Sequence, residues 1–594
     1  MQLNTSRRVG SPSRREFLAA VARLGGAGLV LPGLGVLAAA CAPGAPAGTP
    51  AASGAPSATT APAATAAPAA KAATTAPSAT QAQAATAVAT PAAAAAATPA
   101  AAIKSGGALK AALTGNPDKL DPATLSVYTS SQVVGAIFSK LIEQDTDGSF
   151  YGVLARSWTA QNPTTWVFEL EDNVTFHNGE KFTAQDVKYS FERIKDPKTA
   201  SPAAVQFAAL DSVEVASPTR AVFHLSRPFG ALLTNLAATW IMNQKAVESS
   251  DPARTPVGTG PFKFTEWVQG DHITLDKYPG YFKSGRPYLD KVTFLFRQVD
   301  ESRIQGLRSG ELNWVDAIPL QQVNTLKADP AFNFVTAANA GIPDFIAFNN
   351  GQPPFDNKAL RQAVAWAMDR KAIKDIAYFG TGEVGVEEVP SASIFFDGTD
   401  HYAKAPDIAL AKAKLVEAGY PNGLEIEYLG LPQYPELLKT GEVLQQQLKT
   451  IGITMTIAQL EVGVWVDRYL KGDYQLTSAY AAGTVDPNSF YISDLRTGGG
   501  FNAFKYSNPK ADDLMDQAQA ETDTTKRNDL YKQLRAVIAD DAPITFAHYE
   551  TLNYLMQKNI VGSTINPNLQ LRLETWATRP EPWPSISFSP TRRS

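Results

Sequence analysis

The chain has 594 residues, a formal net charge of −4 and 19% charged residues. That length exceeds a single hydrophobic core, so two or more domains are expected, and the absence of a basic excess argues against a nucleic-acid partner. A single cysteine, Cys41, excludes an intrachain disulfide, and no cysteine–histidine spacing fits zinc.

Residues 1–41 read as an export signal rather than as part of a fold. Ser13-Arg14-Arg15-Glu16-Phe17-Leu18 is similar to the twin-arginine pattern, with Arg14 and Arg15 as its pair. Ala19 to Ala40 is a Gly/Ala-rich apolar segment better suited to a signal than to a membrane span. It ends at Ala38-Ala39-Ala40-Cys41, which resembles a bacterial lipobox with Cys41 as the acyl acceptor. The usual leucine three places before the cysteine is Ala38, and Leu37 stands one place too early. Residues 42–103 are mostly Ala, Pro, Thr and Ser, with Lys71 as their one charge. They have too few large apolar groups to form a core and are expected to be a disordered tether with a reach of roughly 45 Å.

The folded part opens with a strand over Gly106–Leu113, then Leu120-Asp121-Pro122 and a helix from about Ser131. The next informative stretch is Trp158 to Pro197. Thr165–Leu170 alternates as a strand does. Val174–His177 and Glu180–Phe182 flank Asn178-Gly179, which predicts a hairpin with a type I′ turn. Thr183 with Asp186 forms a capping box, Phe182 can staple onto Val187, and Val187, Phe191 and Ile194 share one helix face. Asp196-Pro197 ends the helix. Asp211–Ala216 and Thr219–Leu225 form a second hairpin across Ser217-Pro218. Pro256-Val257-Gly258-Thr259-Gly260-Pro261-Phe262 lacks the Lys-Ser/Thr ending and following helix of a phosphate loop. Farther on, a helix is predicted from an Asp356 cap through Phe379, with Gly380 after its end. Leu424–Leu429, Glu436–Thr450 and Ile453–Ile457 read as a βαβ unit with parallel strands. Helices follow near Asp512–Ala520 and Thr525–Asp540.

Several of these segments carry a resemblance. Ser157-Trp158, Trp166 to Leu170, Phe176 to Gly179, Phe182 to Val187, Pro256 to Phe262, Leu360 to Arg370 and Ala542-Pro543-Ile544 follow in order the motifs of the extracytoplasmic solute-binding proteins of ABC importers, family 5, the peptide/nickel/oligosaccharide-binding type. Glu171 departs from the pattern, which often has a basic residue there. The resemblance spans roughly residues 105–580. It implies an α/β class and the large two-lobed periplasmic-binding-protein (Venus-flytrap) fold, with mixed sheets flanked by helices. The lobes would be joined by two crossing strands, near Phe345–Asn349 and Ile544–His548. Lobe I would comprise residues 104–150, 252–343 and 545–594, with an extra subdomain at 151–251. Lobe II would be residues 344–544.

The enzyme reading is weak: no G-x-S-x-G, H-E-x-x-H or phosphate loop occurs. The five histidines, His177, His224, His272, His401 and His548, are scattered, so no metal, cofactor or catalytic group is expected. By resemblance, solute contacts are expected at Tyr128, Tyr480 and Asp486, with Trp240 and Trp465 as aromatic candidates whose structural alternative is the core. Peptide-binding relatives carry an aspartate three residues before the pair matched by Asp486-Pro487, to hold the peptide ammonium. Gly483 stands there, so no free peptide N-terminus is expected to be held in that way. The implied function is a lipid-anchored importer subunit that captures a peptide-sized or oligosaccharide-like solute. Its partners would be ABC permease subunits with their cytoplasmic ATPases. The chain is expected to be a monomer that meets the membrane through its anchor only. The alternatives are a non-transport receptor or chaperone on the same fold, and a secreted hydrolase.

Overall fold

The computed structural model describes residues 105–578 except 126, 146–147, 403–404, 482–485, 564 and 566–569, and describes no side chains at 338–341. Arg14, Arg15, Cys41, the 42–103 tether and Gly483 lie outside the described residues. Two long strands, Phe332–Phe348 and Ile544–Gln557, form the spine. They pair antiparallel from Phe332 with Gln557 to Ala347 with Ile544, and the register shifts between Ala337 and Gly341 and between Asp344 and Phe345. The first shift separates the hydrophobic clusters of lobe I from those of lobe II. On the lobe I side Ala337, Tyr554 and Met556 pack into the main core and Phe332 and Leu555 into a smaller one; on the lobe II side Ile342, Phe345 and Ile544 pack into one core and Ile346 and Phe348 into another. The crossing segments expected at 345–349 and 544–548 are therefore the lobe II ends of much longer strands. Ala337 to Gly341 is a run of small residues without alternation, and only pairing across the chain makes the stretch around it a strand.

On the lobe I side the sheet continues through Trp314–Val315 to Ala108–Leu113, which runs parallel to Lys291–Phe296. His272–Lys277 and Phe262–Val268 extend it antiparallel. On the lobe II side Leu476–Tyr480 pairs antiparallel with Phe332–Phe348. Leu424–Gly430 runs parallel to both Leu476–Tyr480 and Ile453–Gln459, with helix Pro435–Lys449 as the crossover. This is the expected βαβ unit. A separate four-stranded antiparallel sheet is built from Ala155–Asn162, Thr165–Leu170, Arg220–Leu225 and Leu210–Ser217. Helix Ala184–Lys195 packs on it through Val187, Phe191 and Ile194, and all three side chains join the lobe I core.

The family-like motifs meet in space. The His177 backbone N–H donates to the Gly258 carbonyl at 2.9 Å, and His177 Nε2 lies 3.0 Å from the Gly260 carbonyl. A Cβ on Gly258 would stand 2.1 Å from the Ile137 carbonyl oxygen, so the absence of a side chain lets this loop reach the end of helix Tyr128–Ile137. Burial pushes the His177 imidazole down to about 4, partly opposed by its bond to Gly260, so the ring is neutral at pH 7.

Two local expectations change. Phe176 accepts from the Gly179 N–H at 2.8 Å, and only Gly179 of the Asn-Gly pair has positive φ, at 86°. The turn is therefore not type I′: a single left-handed glycine follows a turn centred on His177-Asn178. The predicted 356–379 helix is two helices, Lys358–Ala367 and Arg370–Ala377. Asn357, not Asp356, caps the first, and Asp369 caps the second by accepting from the Ala372 N–H. A good N-cap carboxylate inside an apolar periodic run offers the backbone a competing bond, and here it breaks the helix.

The Thr183 capping box is present: Thr183 N–H donates to Asp186 Oδ2 at 2.9 Å, and Gln185 N–H donates to Thr183 Oγ1 at 3.3 Å. Thr183→Ala is expected to cost about 1 kcal/mol, read as a lower urea midpoint with an unchanged slope.

Candidate functional site

The main core of lobe I and the Ile342 core of lobe II meet along a seam away from the crossing strands. From lobe I come the loop Arg227–Gly230 and the short helix Leu232–Leu236, whose Leu232 and Leu236 belong to the first core. From lobe II come the end of helix Pro509–Ala520 and the start of helix Thr524–Asp541, whose Leu514, Ala518 and Tyr531 belong to the second. Gly230 N–H donates to the Gln519 carbonyl at 2.8 Å. Arg227 Nη1 donates to Gln519 Oε1 at 2.6 Å. Thr234 Oγ1 reaches Asp486 Oδ2 at 3.5 Å. A second contact brings Ile394 of lobe II against Gly148 of lobe I, where a Cβ would stand 2.5 Å from Ile394 Cγ2. Ile394 also accepts at its carbonyl from Asn528 Nδ2 at 2.9 Å, beside Arg527, so the two contacts belong to one continuous seam.

The structure distributes the five solute-contact candidates. Tyr128 is half-buried on the first turn of its helix, and its hydroxyl lies 3.0 Å from that of Tyr554 on the crossing strand. Trp240 is 8% exposed in the lobe I core, with Lys140 Nζ 5.5 Å from its ring, and its indole N–H meets no acceptor among the described residues. Trp465 is 1% exposed, donates to Thr477 Oγ1 at 2.9 Å and stacks on Tyr469 at 4.6 Å. Tyr480 donates to Glu436 Oε1 at 2.8 Å from within the same core. Asp486 stands at the seam. Its two oxygens accept from Arg527 Nη1 and Nη2 at 2.6 and 2.7 Å, and Oδ1 also takes the Asn488 N–H at 2.9 Å. With Tyr531 and Thr234 close by, the carboxylate has little acceptor capacity left.

Residues 149–503 match the family of bacterial extracellular solute-binding proteins, family 5. The chain belongs to this family. The glutathione-binding protein GsiB of Pectobacterium atrosepticum is 27% identical over 487 residues, covering 77% of this chain and 91% of that protein. The ABC transporter substrate-binding protein CtaP of Listeria monocytogenes is 27% identical, with a TM-score of 0.73 over 80% of this chain and 100% of that one. AgaA of A. tumefaciens, solved with agropinic acid, is 27% identical, with a TM-score of 0.66 over 80% of this chain and 99% of that one. The solved relatives are two-lobed binding proteins, and the two sets of cores on one pair of crossing strands are this family member's version of that architecture.

Lobe II of this solute-binding protein holds one more polar cluster, around a cavity of about 40 Å³ lined in part by Glu387, His401, Tyr491 and Arg535. Arg535 faces three carboxylates: Glu388 at 2.5 Å, Glu387 at 2.8 Å and Asp397 at 3.3 Å. Burial pushes the Glu387 carboxyl up to about 7; Arg535 opposes this and the neighbouring Glu388 adds to it. Among the described residues, no group of three or more His, Cys, Asp or Glu could hold a metal ion. No helix among them is long and apolar enough to cross a membrane.

The residues that make the seam, Gly230, Gln519 and Arg527, were not singled out by sequence reasoning. Arg227 and Gln519 are 292 positions apart, and no local period or motif announces such a pair. Asp486→Ala would leave the Arg527 guanidinium buried without its counter-charge, an expected loss of about 3–5 kcal/mol in chemical unfolding. For Glu387 the folded value lies above the ordinary carboxylate value of 4.5. Its contribution to stability is therefore fully present below about pH 4.5 and is lost as the pH rises through about 7. Unfolding midpoints measured across that window should show a fall that Glu387→Gln removes.

Proposed function

We propose that this family member is the solute-capturing subunit of an ABC importer, held outside the cell by a lipid on Cys41 and by the 42–103 tether. The observation that carries the reading is the placing of separate cores for each lobe on shared strands, with a hydrogen-bonded seam between the lobes. That geometry lets a solute be enclosed by rotation about the crossing strands. A solute that binds the closed form more tightly than the open one shifts the population toward closure. The closed form then docks on a permease, and ATP hydrolysis on partner subunits drives release. Residues 151–251 serve as an extra lobe I subdomain beside the cleft.

The solute is peptide-sized or oligosaccharide-like. Relatives named for glutathione and solved with agropinic acid support a small organic solute of that order. Tyr128, the half-exposed candidate, and Trp240, with its unsatisfied indole donor, are assigned to contact it. A buried N–H without an acceptor costs about 1–3 kcal/mol, which a solute oxygen would recover. Trp465 and Tyr480 stiffen the lobe II wall from behind, and Asp486 holds Arg527 at the seam. Because Gly483 replaces the ammonium-pairing aspartate, the solute is not gripped by a free peptide N-terminus.

Native mass spectrometry of protein purified from its host should show a co-purified solute of peptide or oligosaccharide size; protein that is always empty and binds neither class in calorimetry counts against capture. Short peptides should bind no worse when their N-termini are blocked, and sub-micromolar binding abolished by blocking would overturn the Gly483 reading. Cys41→Ser should move the exported protein from the detergent phase to the aqueous phase, whereas replacing Arg14 and Arg15 with lysines should block export.

A further inference from the structure

Gly230 occupies a tight point of the seam. A Cβ built on it would stand 2.0 Å from the Glu521 carbonyl oxygen, 3.1 Å from that carbonyl carbon and 3.2 Å from Arg527 Nε. The nearest two atoms are backbone, at the end of helix Pro509–Ala520, and cannot swing aside as a side chain would. Its φ is not in the left-handed region, so the backbone there is open to any residue and only the missing side chain matters. Gly230 belongs to a loop anchored in the lobe I core by Phe229 and Ala231, and Glu521 follows Ala518 of the lobe II core. A methyl at this position would therefore collide with the other lobe and leave its own lobe's packing intact.

We propose that Gly230 is the positioning residue for lobe closure, the point at which the main chains of the two lobes seat against each other. The inference rests on the solute-capture reading above and goes beyond it by naming the stop that defines the closed form. The Gly230 N–H and the Gln519 carbonyl mate directly, and Arg227 reaches the Gln519 side chain beside them. The same seating brings the buried Asp486–Arg527 pair under Gly230 and Thr234. A desolvated ion pair is costly unless each group keeps its partner, and Asp486 and Arg527 keep theirs under the lobe I surface. Close seating forms the Gly230–Gln519 and Arg227–Gln519 bonds, which a methyl group at position 230 would pull apart. The Gly230–Gln519 bond is a single neutral bond whose two groups are hydrated again when the lobes part, so its net contribution is modest. That is enough to bias an equilibrium between open and closed forms without locking it before solute arrives.

The test needs no solute. In full-length protein carrying Cys41→Ser, which removes the chain's one native cysteine, Arg227→Cys and Gln519→Cys are introduced and joined by a short bis-maleimide. The cross-link traps each closing excursion, and its rate of formation reports how often the lobes seat. Adding Gly230→Ala is expected to slow cross-linking at least tenfold while leaving the unfolding midpoint unchanged. Gly463→Ala, which meets nothing within 4 Å, should leave the rate as it was. Equal rates with and without the Gly230→Ala change, or no cross-link in the glycine parent, would overturn the proposal. Should Gly230→Ala lower the unfolding midpoint, hydrogen exchange of the Gly230 amide in the parent decides instead: slowed exchange once the lobes are cross-linked supports seating on Gln519, and unchanged exchange refutes it. The solute-capture reading fails by a different route, through empty protein in mass spectrometry, so the two failures cannot be confused.

Discussion

The antiparallel pairing of Phe332–Phe348 with Ile544–Gln557 is the interaction on which everything else depends. Among the described residues it is the one strand ladder shared by both lobes, and its register shift at Ala337–Gly341 falls where the hydrophobic clusters of one lobe give way to those of the other. A regular ladder is stiff because every N–H and C=O in it is committed. A shift in register leaves groups whose bonding is less constrained, which is where the proposed closing motion would bend the strands. In that motion each lobe would move as a body and keep its own packing.

The seam complements that hinge. Hinge motion by itself sets no end point, so a closed form needs surfaces that fit. Here the fit is mainly polar and main-chain: a glycine amide on a helix-end carbonyl, an arginine on a glutamine, and a threonine near a buried ion pair. Such contacts are weak one by one in water and gain from exclusion of solvent. Apolar surfaces would hold the lobes shut without solute, and a solute-binding protein has to reopen. The Asp486–Arg527 pair is kept whole inside lobe II, with both partners at least nine-tenths buried, so opening does not strand a charge.

The polar groups inside lobe II divide in a similar way. Tyr480 with Glu436 and Trp465 with Thr477 are paired within the lobe, and such bonds fix rotamers and shape the wall behind the cleft. Arg535 ties the segment that carries Glu387, Glu388 and Asp397 to helix Thr524–Asp541. Ile394, which meets lobe I at Gly148, lies on that same segment. Burial raises the Glu387 carboxyl, Arg535 opposes this, and the neighbouring Glu388 adds to it.

Sequence by itself determined what is local. The Thr183–Asp186 capping box, the Thr165–Leu170 strand and the βαβ unit of lobe II rest on bonds within a few residues or on periodicity, and a reader of the chain can see them. The family was legible for the same reason, since its motifs are short runs with their own turn and cap chemistry. Where a local reading differed from the fold, two local signals competed: the Asp369 cap against helix continuation, and a single left-handed glycine against a full type I′ turn. Only the tertiary structure decided which aromatic side chains are buried, that Asp486 is bound by Arg527, and that Gly230 meets Glu521. Those facts depend on pairs of residues tens to hundreds of positions apart, and nothing in a residue's neighbours along the chain records what packing will bring against it.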